Sequence, residues 1–324
     1  MPPFHLDTDM GVDDGLAVLL ADTLLSGAFV MSTVCGNVPL PVATRNAVLF
    51  RELLNRSASL KIFAGAGRAS DGFTRDAQQI HGEDGLGEAT RLFETTLKNI
   101  SNEPVPSLDD APPPGKAGVV LAGIGPATNI PRLVDLYGRS TISRIVLMTG
   151  VFFDRGNITP VAEFNAYCDP FALRETLALG IPTILVPLDV CRKVQIMRPA
   201  MLNFRNVDHS AAASLVAASH MHYMDYYREW EGFDGCFPHD SVAVLAALAP
   251  DRFFRLGGSV AVDCTTSGRG RTTFTPTPSS HVEIATGGDL KWARETLGAL
   301  LGGSKISGQK TNGQIFWWNK QRKT

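Results

Sequence analysis

This sequence predicts an open, mostly parallel α/β sheet with helices on both faces, Rossmann-like in architecture, with a small β-rich appendage towards the C-terminal end. Three observations carry that expectation. Short apolar runs at residues 4–9, 29–35, 60–64, 119–123 and 142–149 lead into glycines. Between them lie segments of helical apolar spacing, so strand, glycine, helix and strand repeat as βαβ units with right-handed crossovers. Polar groups gather directly after the apolar runs, where such sheets bind their ligands.

Composition narrows the function. With 324 residues, 44% of them hydrophobic, the chain buries a large core as one domain, assigned to residues 1–303. Residues 304–324 read as a loose basic tail, polar but for two isoleucines and the run Phe316-Trp317-Trp318. A formal net charge of -2 offers no basic field to nucleic acid. No long uncharged apolar run suggests a membrane span. Cys35, Cys168, Cys191, Cys236 and Cys264 are odd in number, far apart and without a C-x-x-C pair. Together with a start that lacks a secretory pattern, they imply a reducing, cytoplasmic setting, while the modest charge and the lack of a span point to a small-molecule substrate.

The first element carries the densest chemistry. Phe4-His5-Leu6-Asp7-Thr8-Asp9 reads as a strand, Gly11 permits a sharp reversal, and Asp13-Asp14 open a helix with Leu16, Leu19, Leu20 and Leu24 on its apolar positions. Four carboxylates thus cluster at a strand's C-terminal end, with Asp7 and Asp9 on one face. Such crowding asks for a cation, and Ca²⁺ or Mg²⁺ takes oxygen ligands. Helix capping by Asp13 and a dipole contact by Asp14 would account for only two of the four. An EF-hand loop is excluded, because its twelfth position falls on Val18 rather than on a bidentate Glu. A metal-dependent phosphohydrolase with an aspartyl acceptor stays open, although Met10-Gly11 supplies no phosphate cradle.

The other elements follow in order. Residues 29–35 read as a buried strand, 42–54 as a helix and 60–64 as a third strand. Residues 68–87, with His81 inside, read as a mobile active-site loop, and the proline-dotted 101–118 as an exposed connection. Strand 119–123, helix 130–137 and strand 142–149 continue the rhythm, 152–161 is an excursion, and Asp169-Pro170 caps and opens a helix. Residues 183–190 close the parallel set. A long helix over 211–230 carries Tyr223, Tyr227 and Trp230, which could stack on a planar ligand but at helical spacing read first as packing. His239-Asp240 precede a helix over 241–248. Strands at 253–263, 272–275 and 281–286 make the appendage, and 289–301 is a last amphipathic helix.

In combination these motifs resemble the nucleoside hydrolases of inosine-uridine-preferring type. Asp7-Thr8-Asp9-Met10-Gly11-Val12-Asp13-Asp14 is similar to that family's N-terminal signature, Val34-Cys35-Gly36-Asn37 to its second strand end, and Glu163-Phe164-Asn165 with Asp169-Pro170 to its ribose segment. Gly125-Pro126-Ala127-Thr128-Asn129-Ile130 and His239-Asp240 complete the set. The chain departs from the pattern at Met10, where proline is common, at Thr149, where a second glycine is common, and in a slightly longer stretch from Met148 to Asn157.

The resemblance implies that Asp9, Asp14, Asp240 and the backbone carbonyl of Thr128 bind Ca²⁺, with Asp9 also the general base. It implies further that Asp13 and Asn165 hold ribose hydroxyls, that Asn157 and Glu163 hold the 5′ end, and that Asn37 supports the metal-bound water and the ribose. His239 would lie near the leaving base as its acid, and His81 would contact the base. A homo-oligomer, dimer or tetramer, is implied by resemblance alone. The chemistry is coherent, because cleaving an N-glycosidic bond builds positive charge on the ribosyl ring, to which carboxylates and amide oxygens are complementary. The expected reaction is Ca²⁺-dependent hydrolysis of ribonucleosides, the alternatives being a non-catalytic Ca²⁺-dependent ribonucleoside-binding protein or the phosphohydrolase.

Overall fold

Eleven strands are present in a computed structural model that describes residues 3–302 except 27, 28, 101–103, 114, 116, 117 and 209. The tail expected from residue 304 lies outside the described residues. The strands are β1 (Phe4–Thr8), β2 (Val30–Thr33), β3 (Lys61–Ala64), β4 (Val119–Gly123), β5 (Ile142–Met148), β6 (Thr183–Val186), β7 (Ile196–Met197), β8 (Gly235–Cys236), β9 (Phe253–Val262), β10 (Thr272–Pro276) and β11 (Val282–Gly288). Nine form one sheet in the order β10-β9-β11-β6-β5-β4-β1-β2-β3, while β7 and β8 make a separate ladder.

From β3 across to β11 every neighbour is parallel; β9 runs antiparallel to both β11 and β10. The β-rich C-terminal region is therefore an antiparallel extension of the main sheet, joined where Val282 pairs with Thr183. Strand order reverses between β1 and β4. This switch point opens a crevice beyond the strand ends, which is where open α/β sheets hold ligands.

The helices are α1 (Val12–Leu25), α2 (Leu40–Leu53), α3 (Gln78–His81), α4 (Glu94–Ile100), α5 (Ile130–Tyr137), α6 (Phe164–Cys168), α7 (Pro170–Ala178), α8 (Leu188–Cys191), α9 (Arg198–Val207), α10 (Ala211–Trp230), α11 (His239–Leu248) and α12 (Leu290–Leu301). Alternation along the strands divides the interior into two layers. Val146 and Met148 of β5 join a core with α1, α2, α10, α11 and α12, whereas Ile145 and Leu147 join one with α5 and α7. α1 and α11 are buried nearly all round. Their apolar bodies carry Asp13, Asp14 and Asp240 into the interior, where an unpaired charge is costly.

Several boundaries differ from expectation for local reasons. The strand expected over 183–190 stops at Val186, and after Pro187 the chain winds into the single turn α8. α11 begins at His239 itself, so that residue is inside the helix and not ahead of it. Residues 68–87, expected to be a mobile loop, are tied down at several points. Ser70 bonds Asp169 through its N–H (2.7 Å) and hydroxyl (2.8 Å), and Asp84 accepts the N–H groups of Leu86, Glu88 and Thr90. Among the described residues no helix is long and apolar enough to cross a membrane.

Candidate active site

Beyond the carboxyl ends of β1, β2, β4 and β5 lies a cavity of about 320 Å³, walled by Asp13, Asn37, Asn165, Tyr223, His239 and Asp240 among others. That volume suits a small molecule. The chain enters from β1 through a tight turn, but the left-handed residue is Met10 (φ 47°) and not the expected Gly11. Gly11 is needed because a Cβ there would meet Asn37 Nδ2 at 2.5 Å and His81 Nδ1 at 2.7 Å.

Oxygen atoms of Asp13, Asp14 and Asp240 lie within 4.8 Å of one another, and all three residues are buried. Thr8 donates its hydroxyl to Asp14 Oδ1 (2.5 Å), and Gly11 N–H bonds Oδ2 (2.8 Å). Asp9 sits outside this triplet, next to Asp14. Asn37 links the two: its backbone N–H bonds Asp9 Oδ2 (2.7 Å), and its amide nitrogen reaches Asp9 Oδ1 and Asp14 Oδ2, both at 3.1 Å. Among the described residues no lysine or arginine pairs with Asp9, Asp13, Asp14 or Asp240.

Burial is the main reason all four carboxyls sit above their usual range, and neighbouring carboxylates add to it for Asp9, Asp13 and Asp240. Asp13 is pushed to about 8. Asp7, expected to join the cluster, is engaged elsewhere. Its Oδ1 accepts from Ser32 and from Asn129 Nδ2 (2.8 Å), and Ser32 in turn bonds His5. The fourth carboxylate comes from Asp240, which α11 brings from the far end of the chain. This donor set fits a hard divalent cation: buried oxygens in close array, raised carboxyls and no basic side chain to balance them.

Asn165, on α6, spends its amide nitrogen on the carbonyls of Ile124 (3.0 Å) and Met148 (2.9 Å), at the ends of β4 and β5. Its carbonyl oxygen is left as the acceptor for a ligand. Glu163 is the N-cap of α6 and takes the N–H groups of Asn165 (2.8 Å), Ala166 (3.0 Å) and Gly150 (3.0 Å). Asn157, more exposed, accepts Phe164 N–H at 2.8 Å and lines the same cavity. Thr128 lies in the 3-10 turn Ala127–Asn129 after Gly125, whose backbone packs against Asp9. The Thr128 hydroxyl is buried without a partner among the described residues.

The opposite wall is aromatic. His81 ends α3 and accepts Val12 N–H on Nδ1 (3.0 Å), which leaves Nε2 to carry the ring proton. Tyr223 packs against His81 with centroids 5.2 Å apart, and its hydroxyl is 3.4 Å from that of Tyr227. Tyr227 then reaches His239 Nε2 at 3.1 Å. Burial lowers both His81 and His239 to about 3, so each is neutral at pH 7. Tyr223 and Tyr227, read from sequence as packing, thus line the cavity in a chain of polar atoms. Their spacing of four on one helix face, with His220 three residues ahead, was the available signal.

Fold and site together define a Rossmann-like α/β protein with an acidic cation-and-ligand pocket at its switch point. The family described as inosine-uridine preferring nucleoside hydrolase matches residues 4–295. The chain belongs to that family and is an enzyme of the ribonucleoside hydrolase class. It is 32% identical over 271 residues to the pyrimidine-specific ribonucleoside hydrolase RihA of Enterobacter sp. (strain 638), covering 81% of this chain and 83% of that protein. It is 29% identical to uridine nucleosidase 1 of Arabidopsis thaliana, covering 80% and 77%. The solved structure of a purine-preferring ribonucleoside hydrolase from Gardnerella vaginalis superposes with a TM-score of 0.77 at 25% identity, covering 94% of this chain and 100% of that one.

Proposed function

We propose that this enzyme hydrolyses the N-glycosidic bond of ribonucleosides in a Ca²⁺-dependent reaction, releasing ribose and free base. The observation that carries this reading is the buried carboxylate group of Asp13, Asp14 and Asp240, with Asp9 linked through Asn37 and no basic partner, facing an aromatic wall across a nucleoside-sized cavity. Asp9, Asp14, Asp240 and the carbonyl of Thr128 would hold the ion. When bound, it balances the carboxylates, acidifies water and orients a vicinal diol.

The chain's own groups divide the remaining work. Asp9, gripped on both oxygens by Asn37, takes the proton of the attacking water. Asp13 and the free carbonyl oxygen of Asn165 accept ribose hydroxyls, and Asn157 with the residual capacity of Glu163 faces the 5′ end. Across the cavity, His239 enters as a neutral imidazole and not as an imidazolium. Its Nε2 shares a hydrogen bond with Tyr227, whose hydroxyl would give its proton to the departing base, the phenol oxygen staying hydrogen-bonded to His239 until solvent restores that proton. His81 Nε2–H is a donor available to the base.

A panel of inosine, adenosine, guanosine, uridine and cytidine, assayed for reducing sugar with Ca²⁺ and with chelator beside a phosphate monoester assayed for phosphate, tests the reading. Ribose release that disappears on chelation and returns with Ca²⁺ is expected. Tight Ca²⁺-dependent binding without release would identify a binding protein. Activity on phosphate esters alone would identify a phosphohydrolase.

A further inference from the structure

The excursion that carries Asn157 is held by two side chains of a single helical turn. Asp189 of α8 accepts the N–H groups of Phe152 (2.9 Å) and Phe153 (2.5 Å). Arg192, the C-cap of α8, donates to the carbonyls of Arg155 (2.5 Å) and Gly156 (3.4 Å) and pairs with Asp154 at 3.1 Å. Residues three apart share a helix face, so one short turn satisfies four backbone groups of one short segment. The Arg192 side chain is only 13% exposed, unlike a solvated surface pair of little consequence. Gly156 shows how tightly the segment is folded, since a Cβ there would overlap the backbone of Thr159 and Ala162. The side chain next in sequence is Asn157.

We infer that Arg192, with Asp189, is a positioning residue that sets discrimination for the 5′-hydroxyl of the substrate by fixing where Asn157 stands. The inference rests on the reading of Asn157 as a 5′-end contact and extends it to residues with no assigned part in the reaction. A displacement of about 1 Å in such a group costs up to roughly a hundredfold in rate. Arg192 also lines the cavity and lies close enough to His239 to depress its protonation, yet it carries no proton in the reaction.

The test compares the nucleoside hydrolysed fastest with its 5′-deoxy analogue. Wild type is expected to prefer the 5′-hydroxyl, and Arg192→Ala to lose most of that preference, chiefly through a higher KM for the parent nucleoside. The analogue's kcat/KM should fall by much less than the parent's, because the Arg192 charge near His239 bears on both substrates alike and drops out of their ratio. Arg192→Lys, which keeps one donor to the carbonyls, should recover part of the preference. Arg192→Ala combined with Asn157→Ala should lose no more preference than Asn157→Ala alone, because the two act through one contact. Equal losses on both substrates in the Ala or Lys variant would show a structural role and overturn the inference. Should Arg192→Ala not fold, the Lys variant carries the same comparison. A wild type indifferent to the 5′-hydroxyl would overturn the inference through its premise, leaving hydrolysis itself untouched.

Discussion

Asp9 and Asp7 stand two residues apart on one strand and meet different fates. Asp9 is held by both donors of Asn37, while Asp7 is drawn into a bond network with Ser32 and Asn129, 25 and 122 residues away. The carboxylate-rich turn was legible in sequence; which carboxylates face the pocket was not, because the deciding partners are remote. The same holds for Asp240, recognisable only by resemblance. With Asp9 as base, Asp9→Asn is expected to lower kcat at least about a hundredfold with little change in thermal stability. Rates within a few-fold of wild type would give the water's proton to another group. Removing one hydroxyl with Tyr227→Phe, or the imidazole with His239→Ala, should slow inosine strongly and a nitrophenyl riboside barely, since that leaving group departs unprotonated. Equal slowing of both substrates would reduce the pair to a structural role.

The regular elements were the most legible level, since strand, glycine and helix alternate with a clear period. What the sequence hid were the short turns. α8 was read as the end of a strand because Leu188 and Val190 are apolar, and only Pro187 marks the break. The turn after β1 was assigned to glycine on general grounds, yet Met10 takes the positive φ. Its N–H bonds Thr8 Oγ1 (3.1 Å) while its side chain is wholly buried. Proline, common here in the family that this chain belongs to, has φ fixed near −65° and no N–H. Met10→Pro is therefore expected to destabilise this chain by more than about 1 kcal/mol, despite moving it towards the common pattern. An unchanged or raised melting temperature would mean that this turn rearranges freely.

At the scale of the whole molecule, the interior holds two sets of titratable groups with opposite linkage. Burial lowers His5 to about 3 and His220 to about 4 from an ordinary 6.5. Their contribution to stability is complete above about 6.5 and is lost as pH falls through the folded values. Burial raises Asp7 to about 7 and Asp13 to about 8 from 3.8. Their contribution is complete below about 3.8 and is lost as pH rises through 7 and 8. The metal-free protein is thus squeezed from both sides, and its melting temperature should be highest over about pH 4 to 6.5, where the two sets offset each other, and fall below pH 4 and towards pH 8.5. Ca²⁺ should weaken the alkaline limb by relieving Asp13 and its neighbours, though not Asp7, which faces Ser32 and Asn129, and leave the acid limb in place, because a cation in the carboxylate cluster does nothing for His5 and His220. At a hundred times its Kd, an ion bound only by the folded state contributes about 2.7 kcal/mol, which is several degrees for a chain of this size. Melting curves in chelator and in Ca²⁺ across about pH 3 to 8.5 decide it. A flat metal-free profile, or one that Ca²⁺ shifts equally at every pH, would mean that the carboxylates are already ionised and balanced without a cation.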